Sequence, residues 1–138
     1  MTETGNPAPA TTDAPPLLQI RELRTYFHGK RETVRAVDDI DLLIEEGETL
    51  GLVGESGSGK SVTSLSVMRL LESTANIESG EISYFGRDLV HLPSRDMRDL
   101  RGKDIGMIFQ EPGTSLNPVF RVGDQVGEAL RVHLGMSR

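Results

Sequence analysis

Residues 54–61 read Gly54-Glu55-Ser56-Gly57-Ser58-Gly59-Lys60-Ser61, a complete GxxxxGK[ST] pattern, and the chemistry this spacing serves is the binding of a nucleotide's phosphates. Gly54, Gly57 and Gly59 let the backbone pass through conformations closed to residues with a Cβ, so that successive N–H groups point into one concavity. A triphosphate fits that concavity, with Lys60 reaching its β and γ oxygens and the Ser61 hydroxyl free to ligate Mg²⁺. Dinucleotide-type and protein-kinase-type glycine loops fail on spacing, because a GxGxxG beginning at Gly57 needs glycine where Val62 stands.

Such a loop works between a strand and a helix, and the flanking residues supply both patterns. Thr49–Val53 (Thr-Leu-Gly-Leu-Val) is a short apolar run suited to a buried strand. Lys60–Leu71 carries Val62, Leu65, Met68 and Leu71 at three-residue spacing, as a helix packed on a sheet would. This order sets the partial positive end of a helix against the phosphates. A second candidate buried strand, Asp104–Phe109, is broken off by Gln110-Glu111-Pro112-Gly113. In open α/β sheets ligands sit outside the carboxyl ends of the strands. A glutamine there can lend its amide oxygen to Mg²⁺ or to an attacking water, which makes Gln110 a candidate beside Lys60 and Ser61.

Around this centre the organisation is simpler. Residues 1–16, with Pro7, Pro9, Pro15 and Pro16 and no large apolar residue after Met1, bury nothing to offset ordering entropy and read as a disordered tail. Leu17–Phe27 and Val34–Ile44 read as strands on either side of the turn-rich His28–Glu32, and Glu45-Glu46-Gly47-Glu48 reads as a turn. Glu72–Ser79 is a polar connection, and Gly80–Phe85 a short strand in which Ile82 and Tyr84 alternate with Glu81 and Ser83. Ser94, after Pro93, has the character of a helix N-cap, and Asp124–Leu134 places Val126, Leu130 and Leu134 on one helical face. His28, His91 and His133 have no motif context and are expected at the surface.

At 138 residues the chain is the size of one domain. Its net charge of −6 and pI of about 5.0 argue against a broad attraction to nucleic acid or anionic lipid. It has no cysteine, which excludes disulfides and thiolate metal sites. No apolar run approaches the roughly 18–20 residues that span a bilayer. With no basic and apolar signal-peptide segments at the N-terminus either, the expected address is cytosolic.

Several strings are more specific than the loop. They are Gly47-Glu48-Thr49-Leu50-Gly51-Leu52-Val53 running into it, Gly80-Glu81-Ile82, and above all Ile108-Phe109-Gln110-Glu111-Pro112 followed by Thr114-Ser115-Leu116-Asn117-Pro118. With the ending His133-Leu134-Gly135-Met136-Ser137, they make Leu17–Arg138 resemble the ATP-binding subunits of ABC transporters, in the subfamily that energises dipeptide, oligopeptide and nickel import. The resemblance implies an α/β fold: a P-loop NTPase core of the ABC ATPase type with an N-terminal antiparallel β subdomain, truncated before the signature and Walker B motifs. Residues 17–109 would then be the N-terminal part of the ATP-binding domain, and 110–138 the Q-loop and the start of a helical subdomain.

The same resemblance assigns cofactors, site residues and partners. ATP and Mg²⁺ are the implied cofactors. Gly54, Glu55, Ser56, Gly57, Ser58, Gly59, Lys60, Ser61 and Val62 form the implied nucleotide-binding run. Ser61 and Gln110 are the implied metal ligands, and Lys60 and Gln110 the catalytic pair. Phe27 stands where the family places an aromatic that stacks on adenine, with neighbouring Tyr26 as its rival. Val62 stands where many members carry a hydroxyl that reaches the α-phosphate, so one hydrogen bond is lost. The implied partners are transmembrane permease subunits touching the Q-loop region, a second ATP-binding subunit and, indirectly, a substrate-binding protein, with no nucleic acid. The implied location is peripheral, on the inner face of the cell membrane.

Within these residues there is no LSGGQ-type signature, no Walker B motif and no later histidine in its motif. The nearest acidic mimic, Leu42-Leu43-Ile44-Glu45-Glu46, lies upstream of the loop, lacks the aspartate and reads as a strand entering a surface turn. The expectation is therefore an N-terminal fragment. The full-length protein would hydrolyse ATP to drive import, while the 138 residues alone would hold nucleotide at most and fold poorly. The alternative is the nucleotide-binding module of another P-loop NTPase without catalytic activity of its own. A small-molecule kinase would need an arginine-rich lid where this chain has its Q-loop-like string.

Overall fold

Alternating inward and outward side chains build a four-stranded antiparallel sheet in the computed structural model of the chain, which describes residues 14–109 and 116–137. The strands are β1 (Leu18–His28), β2 (Thr33–Ile44), β3 (Ala75–Tyr84) and the short β4 (Arg87–Asp88), in the order β2-β1-β3-β4. Helix α1 (Lys60–Met68) follows the glycine loop, α2 (Ser94–Leu100) follows β4, and α3 (Val122–Val126) and α4 (Glu128–Leu134) close the described chain. The first two strands match expectation within a residue. The third does not. It begins at Ala75, inside the stretch read as a polar connection, because Ala75, Ile77 and Ser79 pair with Phe27, Thr25 and Arg24 of β1. Only two inward apolar residues mark that half-strand, so its alternation is faint until β1 supplies the ladder.

One level of the sheet is bent in all three long strands. Buried positions in β1 run Ile20, Leu23, Thr25, and in β2 Val37 is followed by half-buried Ile40 and Leu42, so each strand skips one residue before resuming its period of two. The skips coincide with Glu22 and Asp39 at positive φ (45° and 64°) and with register shifts in the pairing, the signature of β-bulges. In β3 the same level is occupied by Gly80 at φ +99°. A Cβ there would lie 2.6–2.7 Å from the carbonyl oxygens of Arg21 and Glu22 and from Leu23 Cα. Backbone closes in on three sides, so only glycine fits.

The core lies between this sheet and helices α1 and α2, where Ile20, Leu23 and Ile82 meet Val67, Met97 and Leu100. Pro93, not Ser94, is the N-cap of α2: extended at ψ 140°, it leaves Ser94 as the first helical residue with no side-chain cap. The buried face of α1 is Thr63, Ser66, Val67 and Met68; of the expected stripe Met68 is buried, Val62 and Leu65 are half-buried, and the helix stops at Met68. It stops there because Arg69 turns left-handed (φ 50°) and its N–H, with that of Leu70, folds back onto Ser66 and Leu65 carbonyls. Leu65 instead lines a hollow with Leu52, Met107, Ile108 and Phe109.

Thr49–Val53 and Asp104–Phe109, expected as buried strands, are neither paired nor buried. Val53 is 95 % and Ile108 94 % exposed, and among the described residues their one ladder contact is a single parallel bridge between Arg101 and Ile105. Their composition suits strands covered on both faces in a parallel sheet, but among the described residues no strand lies beside them. The expected helix Asp124–Leu134 is present as α3 and α4, divided at Gly127, and Val126, Leu130 and Leu134 face solvent. His28 and His91 are exposed and pair with Glu78 (2.6 Å) and Asp88 (2.7 Å).

Candidate nucleotide-binding site

The loop between Val53 and α1 is shaped by backbone that only glycine can follow. Gly57 and Gly59 take φ of +83° and +88°, and Gly59 is the N-cap of α1 with no side chain bonded to the helix's first amides. A Cβ on Gly59 would lie 2.3 Å from the carbonyl oxygen of Ala36, so β2 forms one wall of the loop. The result is a concavity of about 200 Å³ lined by Ala36 and by residues 56–62. Free amides and the positive end of α1 open into it, the arrangement that receives an anion.

Lys60 supplies the charge. Its ammonium donates to the carbonyl oxygens of Gly54 and Glu55, both at 2.7 Å, and to Ser58 Oγ at 3.2 Å, so all three donors are held inside the loop. Ser61, in the first turn, is exposed. Val62 is half-buried against the core, so its side chain serves packing, while the residue still lines the concavity.

The two aromatic candidates part company on β1. Thr25 faces α1, with its Oγ1 2.9 Å from Ser66 Oγ, and the period of two puts Phe27 on that same face and Tyr26 on the other. Tyr26 is already engaged there. Its hydroxyl donates to Asp38 at 2.6 Å and Arg35 lies over its ring at 5.5 Å from the centroid. That hydrogen bond is the main reason the tyrosine pKa is raised and the Asp38 carboxyl is held below its ordinary value. Arg24 completes the cluster, with contacts to Asp38 (3.7 Å) and Asp39 (2.9 Å). Phe27 is half-buried between Val34 and Ala75, its register partners.

Gln110 lies outside the described residues. Its predecessor Phe109 lines, with Lys60, Ser61 and Ser64, a second hollow of about 440 Å³ beside α1, so the chain leading to Gln110 does reach the loop's end of the helix. A larger depression, about 660 Å³, lies over the aligned bulges among Arg21, Glu22, Asp41, Glu81 and His91. It contains no loop residue, and its side chains are solvated charges.

The far end of α1 is held by arginines that the sequence reading missed. Arg101 donates to the Met68 and Arg69 carbonyls (2.7 and 2.8 Å), and Arg69 donates to those of Leu89 and Leu92. Burial, and then the neighbouring Arg69 charge, lower the Arg101 pKa. Both cations sit at the negative end of the helix, where they are favoured. Arginine directly after an apolar helical stripe was the available signal.

The family described as ABC transporter matches residues 37–136. A Brucella ovis protein named among peptide import ATP-binding proteins is 54 % identical over 129 residues, which cover 89 % of this chain and 38 % of that protein. The oligopeptide transport ATP-binding protein AppD of Bacillus subtilis is 48 % identical over 88 % of this chain and 38 % of its own length. OppD of Salmonella typhimurium, of the same description, is 44 % identical over the whole chain and 40 % of its own length. The chain thus spans about two-fifths of the length of these curated relatives. Among solved structures, the dimeric bacterial ABC transporter cassette MJ0796 superposes with a TM-score of 0.75 at 22 % identity, over 88 % of this chain and 50 % of that one. That likeness establishes the fold, an ABC cassette represented here by its antiparallel sheet, glycine loop and loop helix. With the family match running from β2 through the loop and α1 to the last helix, this chain belongs to the ABC transporter family.

Proposed function

We propose that this chain binds ATP with Mg²⁺ at Gly54–Ser61 and Phe27, as the nucleotide-holding part of an ABC ATP-binding subunit. That subunit couples ATP binding and hydrolysis to import of di- and oligopeptides, or of nickel. The observation that carries the reading is the loop itself: left-handed Gly57 and Gly59, uncapped amides at the start of α1, and an ammonium held at the centre. Each favours a polyphosphate. Magnesium needs no protein cage there, since it keeps several waters and takes one or two protein ligands plus phosphate oxygens. Ser61 and Gln110 are the ligands we assign. The peptide substrate is supported by the names of the Brucella, Bacillus and Salmonella relatives.

Residues 17–109 form, on this reading, the nucleotide-holding part, and 110–138 the Q-loop and the start of a helical subdomain. The Q-loop region from Gln110 to Pro118 meets transmembrane permease subunits, a second ATP-binding subunit faces the loop across a dimer, and a substrate-binding protein acts through the permease. The subunit works peripherally on the cytoplasmic face. Among the described residues no helix is long and apolar enough to cross a membrane.

Adenine recognition by stacking on Phe27 tests the reading directly. In the full-length protein, Phe27→Ala should weaken ATP and GTP alike, because every base offers a π-face and a stacked base contributes on the order of 1–3 kcal/mol. Phe27→Trp should be tolerated, and Tyr26→Ala should leave ATP affinity nearly unchanged. Calorimetry that found Tyr26→Ala damaging and Phe27→Ala silent would place the base on the other face of β1. Gln110 is assigned to coupling. Gln110→Ala should cut transport and transporter-stimulated hydrolysis in reconstituted vesicles much more than ATP affinity, and the opposite pattern would reverse the assignment.

A further inference from the structure

We infer that the buried hydroxyl pair Thr25–Ser66 sets the distance between the adenine platform and the phosphate cradle, which makes both residues positioning residues for the nucleotide; this rests on the reading of Phe27 and Gly54–Ser61 given above. Both side chains are fully buried, at 0 % exposure, with their oxygens 2.9 Å apart. One arrangement satisfies both bonds: Ser66 Oγ donates to the Val62 carbonyl at 2.7 Å and Thr25 Oγ1 donates to Ser66 Oγ.

The pair joins the two halves of the site by a direct side-chain hydrogen bond between β1 and α1. Thr25 precedes Phe27 by two residues on the same face of β1, and Ser66 stands on the helix that begins at Lys60 and Ser61. A helix transmits displacement as a nearly rigid rod, rising about 1.5 Å per residue. A shift of α1 against β1 at Ser66 therefore reaches Ser61 undiminished. Around the pair the contact is apolar: Leu23 and Val37 of the sheet and Val67 of α1. Apolar packing is non-directional, whereas a hydrogen bond in a dry interior holds one geometry. Nor does stability explain the residue choice. Valine would fill the Thr25 site with better apolar burial, and alanine is a better helix former than serine at position 66.

The test compares two ligands on the full-length protein by calorimetry: Mg²⁺-ATP, which needs base platform and cradle in register, and Mg²⁺-tripolyphosphate, which needs the cradle alone. Thr25→Val removes the donor and leaves Ser66 satisfied by Val62. It should weaken ATP about fivefold, a part of the stacking contribution, while tripolyphosphate stays within about twofold of its original affinity, close to the error of such comparisons. Ser66→Ala should show the same split, and Thr25→Ser, which keeps the hydroxyl, should restore ATP binding. These two approach the pair from either side, so a misfolded Thr25→Val leaves the comparison standing. A parallel loss of both ligands would make the pair merely structural, and unchanged ATP affinity would remove its role; either overturns the inference. If the unsubstituted protein bound tripolyphosphate through Lys60 but ATP no more tightly, the Phe27 platform would be wrong and the inference would fall with it. If it bound neither ligand, the phosphate loop itself would be misread and no site would exist to be set.

Discussion

Alanine at Lys60 is expected to weaken Mg²⁺-ATP binding at least about tenfold and to abolish turnover in the full-length protein, since each charged hydrogen bond contributes roughly 1.5–3 kcal/mol. The ammonium does two things at once. It is the only point charge at the centre of the loop, and it ties Gly54, Glu55 and Ser58 together by three hydrogen bonds. Alanine removes the attraction for the β and γ oxygens and releases three acceptors that held the loop's curvature. Two measurements separate these effects. Calorimetry reads the loss of affinity, and hydrogen exchange at residues 54–59 without nucleotide reads the loss of shape. Equal ATP affinity in the substituted and unsubstituted proteins would remove Lys60 from the phosphate site.

The motif was legible because phosphate chemistry dictates both residue type and spacing, and the structure gives Gly57 and Gly59 the positive φ that the motif requires. The bent level of the sheet was half-legible. The three-residue steps from Ile20 to Leu23 and from Val37 to Ile40 stand in the sequence, but a step of three reads as helix as readily as bulge until the partner strand is known. The register of Phe27 against Tyr26 depends on that same step, so one residue of slippage decides which ring faces α1. The buried face of α1 was hidden for another reason. Apolar periodicity nominates Val62, Leu65, Met68 and Leu71, of which the structure buries Met68, whereas the helix also buries Thr63 and Ser66, whose hydroxyls are satisfied by the carbonyls of Gly59 and Val62 in the preceding turn. A polar residue satisfied within its own helix is as easily buried as a small apolar one, and hydropathy cannot see the difference.

The 138-residue chain by itself is expected to hydrolyse no ATP and to associate through exposed apolar surface. The first part follows from chemistry. The chain has neither an acidic motif after the loop to position water and complete the Mg²⁺ shell nor a signature to close the γ-phosphate site across a dimer. The second follows from surface. Leu50, Leu52 and Val53 before the loop, Ile108 and Phe109 before Gln110, and Val126, Leu130 and Leu134 on α3 and α4 are all exposed. Apolar strands without neighbours are templates for pairing with another copy, and contiguous apolar patches beyond a few hundred Å² seldom stay bare. Ile20, Leu23 and Ile82, by contrast, are closed over by α1 and α2. Two stabilities should therefore coexist: slow amide exchange along β1 and β3, and fast exchange at 49–53 and 106–109. Binding of an apolar dye and concentration-dependent sedimentation would report the exposed surface, and a broad thermal transition the uneven fold. A sharp melt of a monodisperse monomer would refute the association. Phosphate release above background that vanished in Lys60→Ala would refute the catalytic half.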